Sequence, residues 1–199
     1  TGNTVYTTHL LEDVSGDIYW AIGSYDIDEY ITAYLYRSTD GGNTFSTSTL
    51  VDTPDDYTYT TYLLEDSSGD IYWAIGSWNN MSYLYRSTDG GSTFSTSTIV
   101  NMGSDVYTTH LLEDASYDIY WAMGSFGGNA YLYRSTDGGN NFSTSTIVYT
   151  GNTVYTTHLL EDASGDIYWA IGSYDSSQTI KAYLYRSTDG GNTFSTSTL

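Results

Sequence analysis

Along the chain, short runs in which apolar and polar positions alternate are broken by clusters of Asp, Gly, Ser and Asn. In the first group the runs fall at 5–12 (VYTTHLLE), 18–24 (IYWAIGS), 33–38 (AYLYRS) and 45–51 (FSTSTLV). A period of two in β-branched and aromatic residues predicts β-strands. No window carries the 3.6-residue period and end caps of a helix. The second run puts Ile18, Trp20 and Ile22 on one face and Tyr19, Ala21 and Gly23 on the other. Apolar groups on both faces predict a sheet covered from both sides.

The group of four runs recurs. Its last turn carries an aspartate at Asp40, Asp89, Asp137 and Asp189, about 50 residues apart each time. The chain thus divides into 1–51, 52–100, 101–148 and 149–199, each expected to be one four-stranded antiparallel blade, together one all-β propeller domain. Solenoid coils are usually shorter than this. Four blades close alone or, as a dimer, form a ring of eight. Open blade faces are sticky, so closure or self-association into a homodimer or larger array is expected. The first and last repeats are close: 1–26 and 150–175 differ only at Val14 versus Ala163.

Composition narrows the partners. Lys and Arg total 5 against 24 Asp and Glu, a formal net charge of -19. Such a surface repels nucleic acid and anionic membrane. No apolar run approaches the length of a membrane span, so membrane insertion is not expected either. Tyr is abundant at 23 and Cys absent, which removes disulfides and thiolate metal sites. Nothing calls for a cofactor.

The last turn of each repeat reads STDGGNTF at 38–45, STDGGSTF at 87–94, STDGGNNF at 135–142 and STDGGNTF at 187–194. The glycines permit positive φ in a tight hairpin. The Ser and Asp side chains can bond the turn backbone. A calcium loop needs several oxygen ligands at alternate positions, whereas this motif holds one carboxylate. The turn is therefore expected to be a structural stitch, with the aromatic folding back on the blade.

This pattern, Ser-x-Asp-x-Gly-x-Thr-Phe, resembles the Asp-box or BNR repeat of sialidases and other secreted or surface propellers. The one departure is Asn141, where the other copies have Thr. The resemblance implies a propeller with the motif between the third and fourth strands of each blade. It assigns structural roles to Ser38, Asp40, Gly42 and Phe45, and to Ser87, Asp89, Gly91 and Phe94. The matching positions are Ser135, Asp137, Gly139 and Phe142, and Ser187, Asp189, Gly191 and Phe194. It implies an extracellular or cell-surface setting and says little about activity, since the family holds hydrolases, lectins and receptors.

Sialidase chemistry, as the resemblance implies it, needs three converging arginines, a Tyr–Glu nucleophile pair and an Asp acid. The four arginines, Arg37, Arg86, Arg134 and Arg186, share one slot just before the turn Ser. One repeated slot away from the axis does not converge on a ligand. A blade-to-blade or surface ion pair, with residues of the Glu12 type as candidate partners, is the expected role. His9, His110 and His158 share a slot in the first strand, where the second repeat has Tyr62. Three imidazoles could hold zinc, but substitution by Tyr favours packing, and no metal site is expected. No nucleophile elbow supports a Ser-His-Asp site.

The copies disagree at the opposite end. Loops after the second strand read YDIDEYIT at 25–32, WNNM at 78–81, FGGN at 126–129 and YDSSQTIK at 174–181, each opening on an aromatic. Aromatic faces with a polar fringe suit carbohydrate or peptide. Candidate ligand-binding residues are Tyr25, Asp26, Trp78, Asn79, Phe126, Tyr174 and Asp175. The expectation is a non-catalytic binding or assembly module that recognises a glycan or protein at this end. The alternative is a sialidase-type glycoside hydrolase or a fragment of one.

Overall fold

The computed structural model describes residues 4–25, 31–52, 57–174, 177 and 179–196, with the side chains of 25, 31, 32, 48–52 and 149 excepted. Among the described residues sixteen strands make four antiparallel sheets, each in chain order. Blade 1 comprises β1 (Thr4–Glu12), β2 (Ile18–Tyr25), β3 (Ile31–Ser38) and β4 (Ser46–Asp52). Blade 2 comprises β5 (Thr58–Glu65), β6 (Ile71–Ser77), β7 (Met81–Ser87) and β8 (Ser95–Asn101). Blade 3 holds β9 (Val106–Glu113), β10 (Ile119–Ser125), β11 (Asn129–Ser135) and β12 (Ser143–Tyr149). Blade 4 holds β13 (Val154–Glu161), β14 (Ile167–Tyr174), β15 (Ile180–Ser187) and β16 (Ser195–Thr196). These are β-propeller blades, and among the described residues no helix is long and apolar enough to cross a membrane.

The chain forms two compact units, Thr1–Asn101 and Met102–Leu199. In the first, Tyr19, Ala21, Ala33 and Leu35 of blade 1 pack against Leu63, Ile71, Trp73 and Ile75 of blade 2. In the second, Tyr120, Ala122, Ala130 and Leu132 of blade 3 pack against Leu159, Ile167, Trp169 and Ile171 of blade 4. The two faces of the second strand therefore do different work. The Tyr-Ala-Gly face of one blade receives the Ile-Trp-Ile face of the next, which is why both faces had to be apolar.

The Trp is fixed inside its own blade. Its indole Nε1 donates to a first-strand Thr hydroxyl: Trp73 to Thr61 at 2.6 Å, Trp121 to Thr109 at 2.8 Å and Trp169 to Thr157 at 2.7 Å. Burial of the ring without this partner would cost about 1–3 kcal/mol for the orphaned N–H. Phe94 and Phe194 meet Trp73 and Trp169 edge-on, with centroids 6.3 and 6.2 Å apart.

One irregularity repeats in every blade. The first strand pairs regularly with the second until its start, where one residue drops out of register. Val5 faces Ser24 and Thr7 faces Gly23, so Tyr6 is skipped. The same happens at Tyr59, Tyr107 and Tyr155. A bulge of this kind re-aims a side chain that strict alternation would have placed in the sheet face.

Candidate functional site at the loop end of the blades

The four turns between the third and fourth strands close on themselves. Ser38 Oγ donates to Asp40 Oδ1 at 2.7 Å and accepts from Gly42 N at 2.9 Å. Asp40 also accepts from Thr44 N at 2.9 Å and from Thr44 Oγ1 at 2.7 Å. The set repeats around Asp89, Asp137 and Asp189, with Asn141 Nδ2 replacing the Thr hydroxyl on Asp137 at 2.7 Å. The Thr side-chain hydroxyl and backbone N–H hold the Asp40, Asp89 and Asp189 carboxyls down at about 2. Asn141 does the same for Asp137, also at about 2. A carboxylate whose oxygens are occupied by its own turn is a stitch.

The turn between the first and second strands lies at the same end. Asp13 Oδ1 accepts from Ser15 N and Asp17 N, both at 2.9 Å. Each arginine pairs with the aspartate that closes this turn in its own blade: Arg37 with Asp17 at 2.6 Å, Arg86 with Asp70 and Arg134 with Asp118 at 2.5 Å, and Arg186 with Asp166. The guanidinium lies over the neighbouring Tyr ring, 5.6 Å from the centroid for Arg37 over Tyr19. Glu12-type residues take a different partner from the one expected: Glu65 Oε2 accepts from Val14 N at 2.9 Å and Glu161 Oε2 from Ala115 N at 2.8 Å. Arg pairs with the Asp because both leave strands at the same end of one sheet, while the Glu reaches across to the adjoining blade.

The imidazole slot is a packing slot in the first unit. His9 stacks on Tyr62 with centroids 4.1 Å apart, and its Nδ1 accepts from Leu63 N at 3.3 Å. Burial lowers the His9 pKa, keeping the ring neutral. His110 and His158 stack on each other at 4.1 Å. Among the described residues no group of three or more His, Asp or Glu is placed to hold a metal ion.

The opposite end is built differently. The aromatic that opens each variable loop is tied by its backbone to the start of the same blade. Trp78 N donates to Tyr57 O at 3.0 Å, Phe126 N to Asp105 O at 2.9 Å and Tyr174 N to Thr153 O at 3.0 Å. Their side chains are left exposed, 48 % for Trp78 and 56 % for Phe126. They meet the bulge tyrosines. In the first unit Tyr59 lies 5.8 Å from Trp78 and 5.7 Å from Tyr6, and Tyr57 stands edge-on to Trp78 at 5.5 Å. In the second unit Phe126, Tyr107, Tyr155 and Tyr174 follow one another at 6.1, 5.4 and 4.9 Å. Each unit thus carries a continuous row of rings.

In the second unit the row sits on a fixed base. Ser104 Oγ accepts from Gly127 N at 2.9 Å, Gly128 O accepts from Thr150 N at 2.8 Å, and Thr153 Oγ1 donates to Phe126 O at 3.2 Å. Gly128 is required there: its φ is +82°, and a Cβ would stand 2.6 Å from Asn152 N. Asp105 belongs to the same base, and burial raises its carboxyl pKa above the ordinary aspartate value.

Of the sequence-stated candidates, Trp78, Phe126 and Tyr174 join these rows, and Asn79 is exposed beside Trp78. The side chain of Tyr25, and Asp26 and Asp175 entirely, lie outside the described residues. Sequence reading missed Tyr6, Tyr59, Tyr107 and Tyr155. Their signal is a Tyr in the same slot of every copy, which a search of the loops that vary does not reach.

No protein-family model and no curated protein sequence matches the chain. Solved structures do. A protein of unknown function from Dyadobacter fermentans aligns over 96 % of this chain and 64 % of its own, with 20 % identity and a TM-score of 0.65. The α-L-arabinofuranosidase of Fusarium graminearum in complex with arabinobiose aligns over 97 % and 65 %, with 14 % identity and a TM-score of 0.71. The α-L-arabinanase of Penicillium chrysogenum complexed with arabinobiose aligns over 97 % and 66 %, with 15 % identity and a TM-score of 0.67. In each case the chain spans just under two thirds of the neighbour. These likenesses overturn the expectation that the chain is not an enzyme, because several of the neighbours are glycosidases. What the chain shares with them is the fold, a β-propeller of four-stranded antiparallel blades.

Proposed function

We propose that these blades form the sugar-holding part of a glycoside-hydrolase-type propeller, acting on a neutral oligosaccharide at the loop end. The observation that carries this reading is the bulge. In all four blades it takes a Tyr out of the ladder, and in the two units those tyrosines join the loop aromatics in rows. Sugar rings present C–H faces to aromatic faces, and each row brings exposed rings, several edge-on to their neighbours, together at the loop end.

Neutral sugar fits better than sialic acid. All four arginines are engaged by aspartates at the other end of the blades, and the net charge of -19 repels an anionic ligand. Arabinobiose, the ligand of two structural neighbours, is neutral. Hydrolysis needs an acid near neutrality, and a carboxyl pushed up by burial is the usual device. Burial raises the Asp105 carboxyl above the ordinary aspartate value, and its backbone carbonyl holds the start of the Phe126 loop, which makes it the carboxyl to test. The four internally bonded turns fit the Asp-box reading, and an extracellular setting goes with it.

The test is calorimetric titration with arabinobiose and longer neutral oligosaccharides, followed by product analysis after prolonged incubation. Saturable binding supports the reading, and release of shorter sugars that is lost in Asp105→Asn supports the catalytic part. No binding to any neutral oligosaccharide would remove it.

A further inference from the structure

The two units repeat one face-to-face junction, and the described residues of blade 4 and blade 1 show its two halves again, exposed. Within each unit the Tyr face of the leading blade is covered by the Trp face of the following one. Three polar links accompany the apolar contact. Tyr19 Oη donates to Gly90 O and Tyr120 Oη to Gly190 O, both at 2.9 Å. Val14 N and Ala115 N donate to Glu65 and Glu161. Arg37 Nη1 reaches Ser92 Oγ at 3.4 Å, and Arg134 Nη1 reaches Asn192 Oδ1 at 2.8 Å.

Blade 4 carries the same Tyr face uncovered. Ala170 and Ala182 are exposed where Ala21, Ala33, Ala122 and Ala130 are fully buried. Leu160 is 57 % exposed, and the Arg186 side chain 45 % against 17 % for Arg134. Blade 1 carries the Trp face uncovered. Leu10 and Trp20 are 63 % and 37 % exposed, whereas their counterparts Leu63 and Trp73 are at 2 % and 0 %. The polar partners are also in place. Blade 4 has Tyr168, the Ala163 N–H and Arg186, and blade 1 has the Gly41 carbonyl, Glu12 and Asn43, the same residue types that join blade 3 to blade 4.

We propose that a second copy of this chain lays its blade 1 Trp face on the blade 4 Tyr face of the first, head to tail. The occupant is argued from continuity with the interior junctions: blade 1 offers Leu10, Ile18, Trp20 and Ile22 beside Glu12 and the Gly41-Gly42 turn, the residue types that blades 2 and 4 use at the same offsets. A contact of this kind joins two different patches, so it closes into a dimer or larger ring or propagates. It leaves the aromatic rows of the loop end outside the junction faces, and it stands whether or not those rows bind sugar.

The chain has no cysteine, so single thiols report the junction cleanly. Ala163→Cys and Glu12→Cys, made in separate chains, are mixed and treated with a short bismaleimide. The mixture is expected to give a cross-linked species of twice 22.0 kDa, at least tenfold more than either variant alone. Light scattering of the unaltered protein at tens of micromolar is expected to give a multiple of 22.0 kDa. Leu10→Arg and Leu160→Arg, both exposed in the single chain and so harmless to its fold, are expected to return it to 22.0 kDa with an unchanged circular dichroism spectrum. A monomeric mass for the unaltered protein overturns the proposal, as does cross-linking confined to a doubly substituted single chain, which would mean that the chain closes on itself. Masses unmoved by both Arg substitutions also overturn it, since association would then use other faces.

Discussion

The two ends of each blade follow opposite rules. At the turn end, four copies of one hydrogen-bond set hold Asp40, Asp89, Asp137 and Asp189 against their own backbone, and the arginines are spent on aspartates in the same blade. At the loop end the constant element is a tyrosine pushed out of the ladder by a bulge, and the loops around it differ in every copy. The difference teaches how to read repetition. A repeated polar residue that satisfies its neighbours two to four positions away is scaffold. A repeated aromatic that the register ejects is available for something else.

Blade 2 allows the sharpest break in that comparison, because it holds one tryptophan of each kind. Trp73 is fully buried, bonded to Thr61 and packed in the first unit's core, so Trp73→Ala should cost about 3–5 kcal/mol in a denaturant melt. Trp78 is half exposed and stands in the aromatic row between Tyr59 and Tyr57. Trp78→Ala should leave the midpoint nearly unchanged while weakening oligosaccharide binding at least tenfold, about 1.4 kcal/mol.

The turn end makes a prediction in pH. The four turn aspartates titrate at about 2 in the folded chain, against about 3.9 for a free aspartate. A depressed folded pKa stabilises above the unfolded value and is lost as pH falls through the folded one. Thermal midpoints should therefore hold from pH 7 to about pH 4 and drop between about pH 4 and 2. Asp89→Asn should lower the midpoint at pH 7 and shallow that acid drop, and an unaltered profile would show that the turn bonds do not act as described.

The smallest expected effect is at Tyr117. It replaces the Gly16, Gly69 and Gly165 of the other copies yet keeps their left-handed conformation, with φ at +67°. Tyr117→Gly should relieve that strain and raise stability by about 0.5 kcal/mol, the gain reduced by the greater freedom of glycine in the unfolded chain. Destabilisation would show that the exposed ring makes a contact worth more than its strain.

Most of the fold was legible. The runs at 5–12, 18–24, 33–38 and 45–51 reappear as β1 to β4 with ends moved by one or two residues, because alternation, glycine turns and repetition all agree there. The site was half legible. Trp78, Phe126 and Tyr174 stood out because they open loops that vary. Tyr6, Tyr59, Tyr107 and Tyr155 did not, since a bulge is a property of two strands' register and leaves no mark in the alternation of one. The partner of each arginine was missed for a related reason: Asp17 and Arg37 are brought together by pairing of adjacent strands, and no local pattern distinguishes that aspartate from Glu12.

The central claim is that the loop end holds sugar and the turn end holds the blade. Its most direct test is a titration of one neutral oligosaccharide series, arabinobiose upward, into the unaltered chain, Trp78→Ala, Tyr155→Ala and Asp89→Asn, each checked for fold. Binding that weakens at least tenfold in the two aromatic variants and persists in Asp89→Asn is the predicted result. Binding unmoved by the aromatic substitutions, or lost in a folded Asp89→Asn, would contradict it.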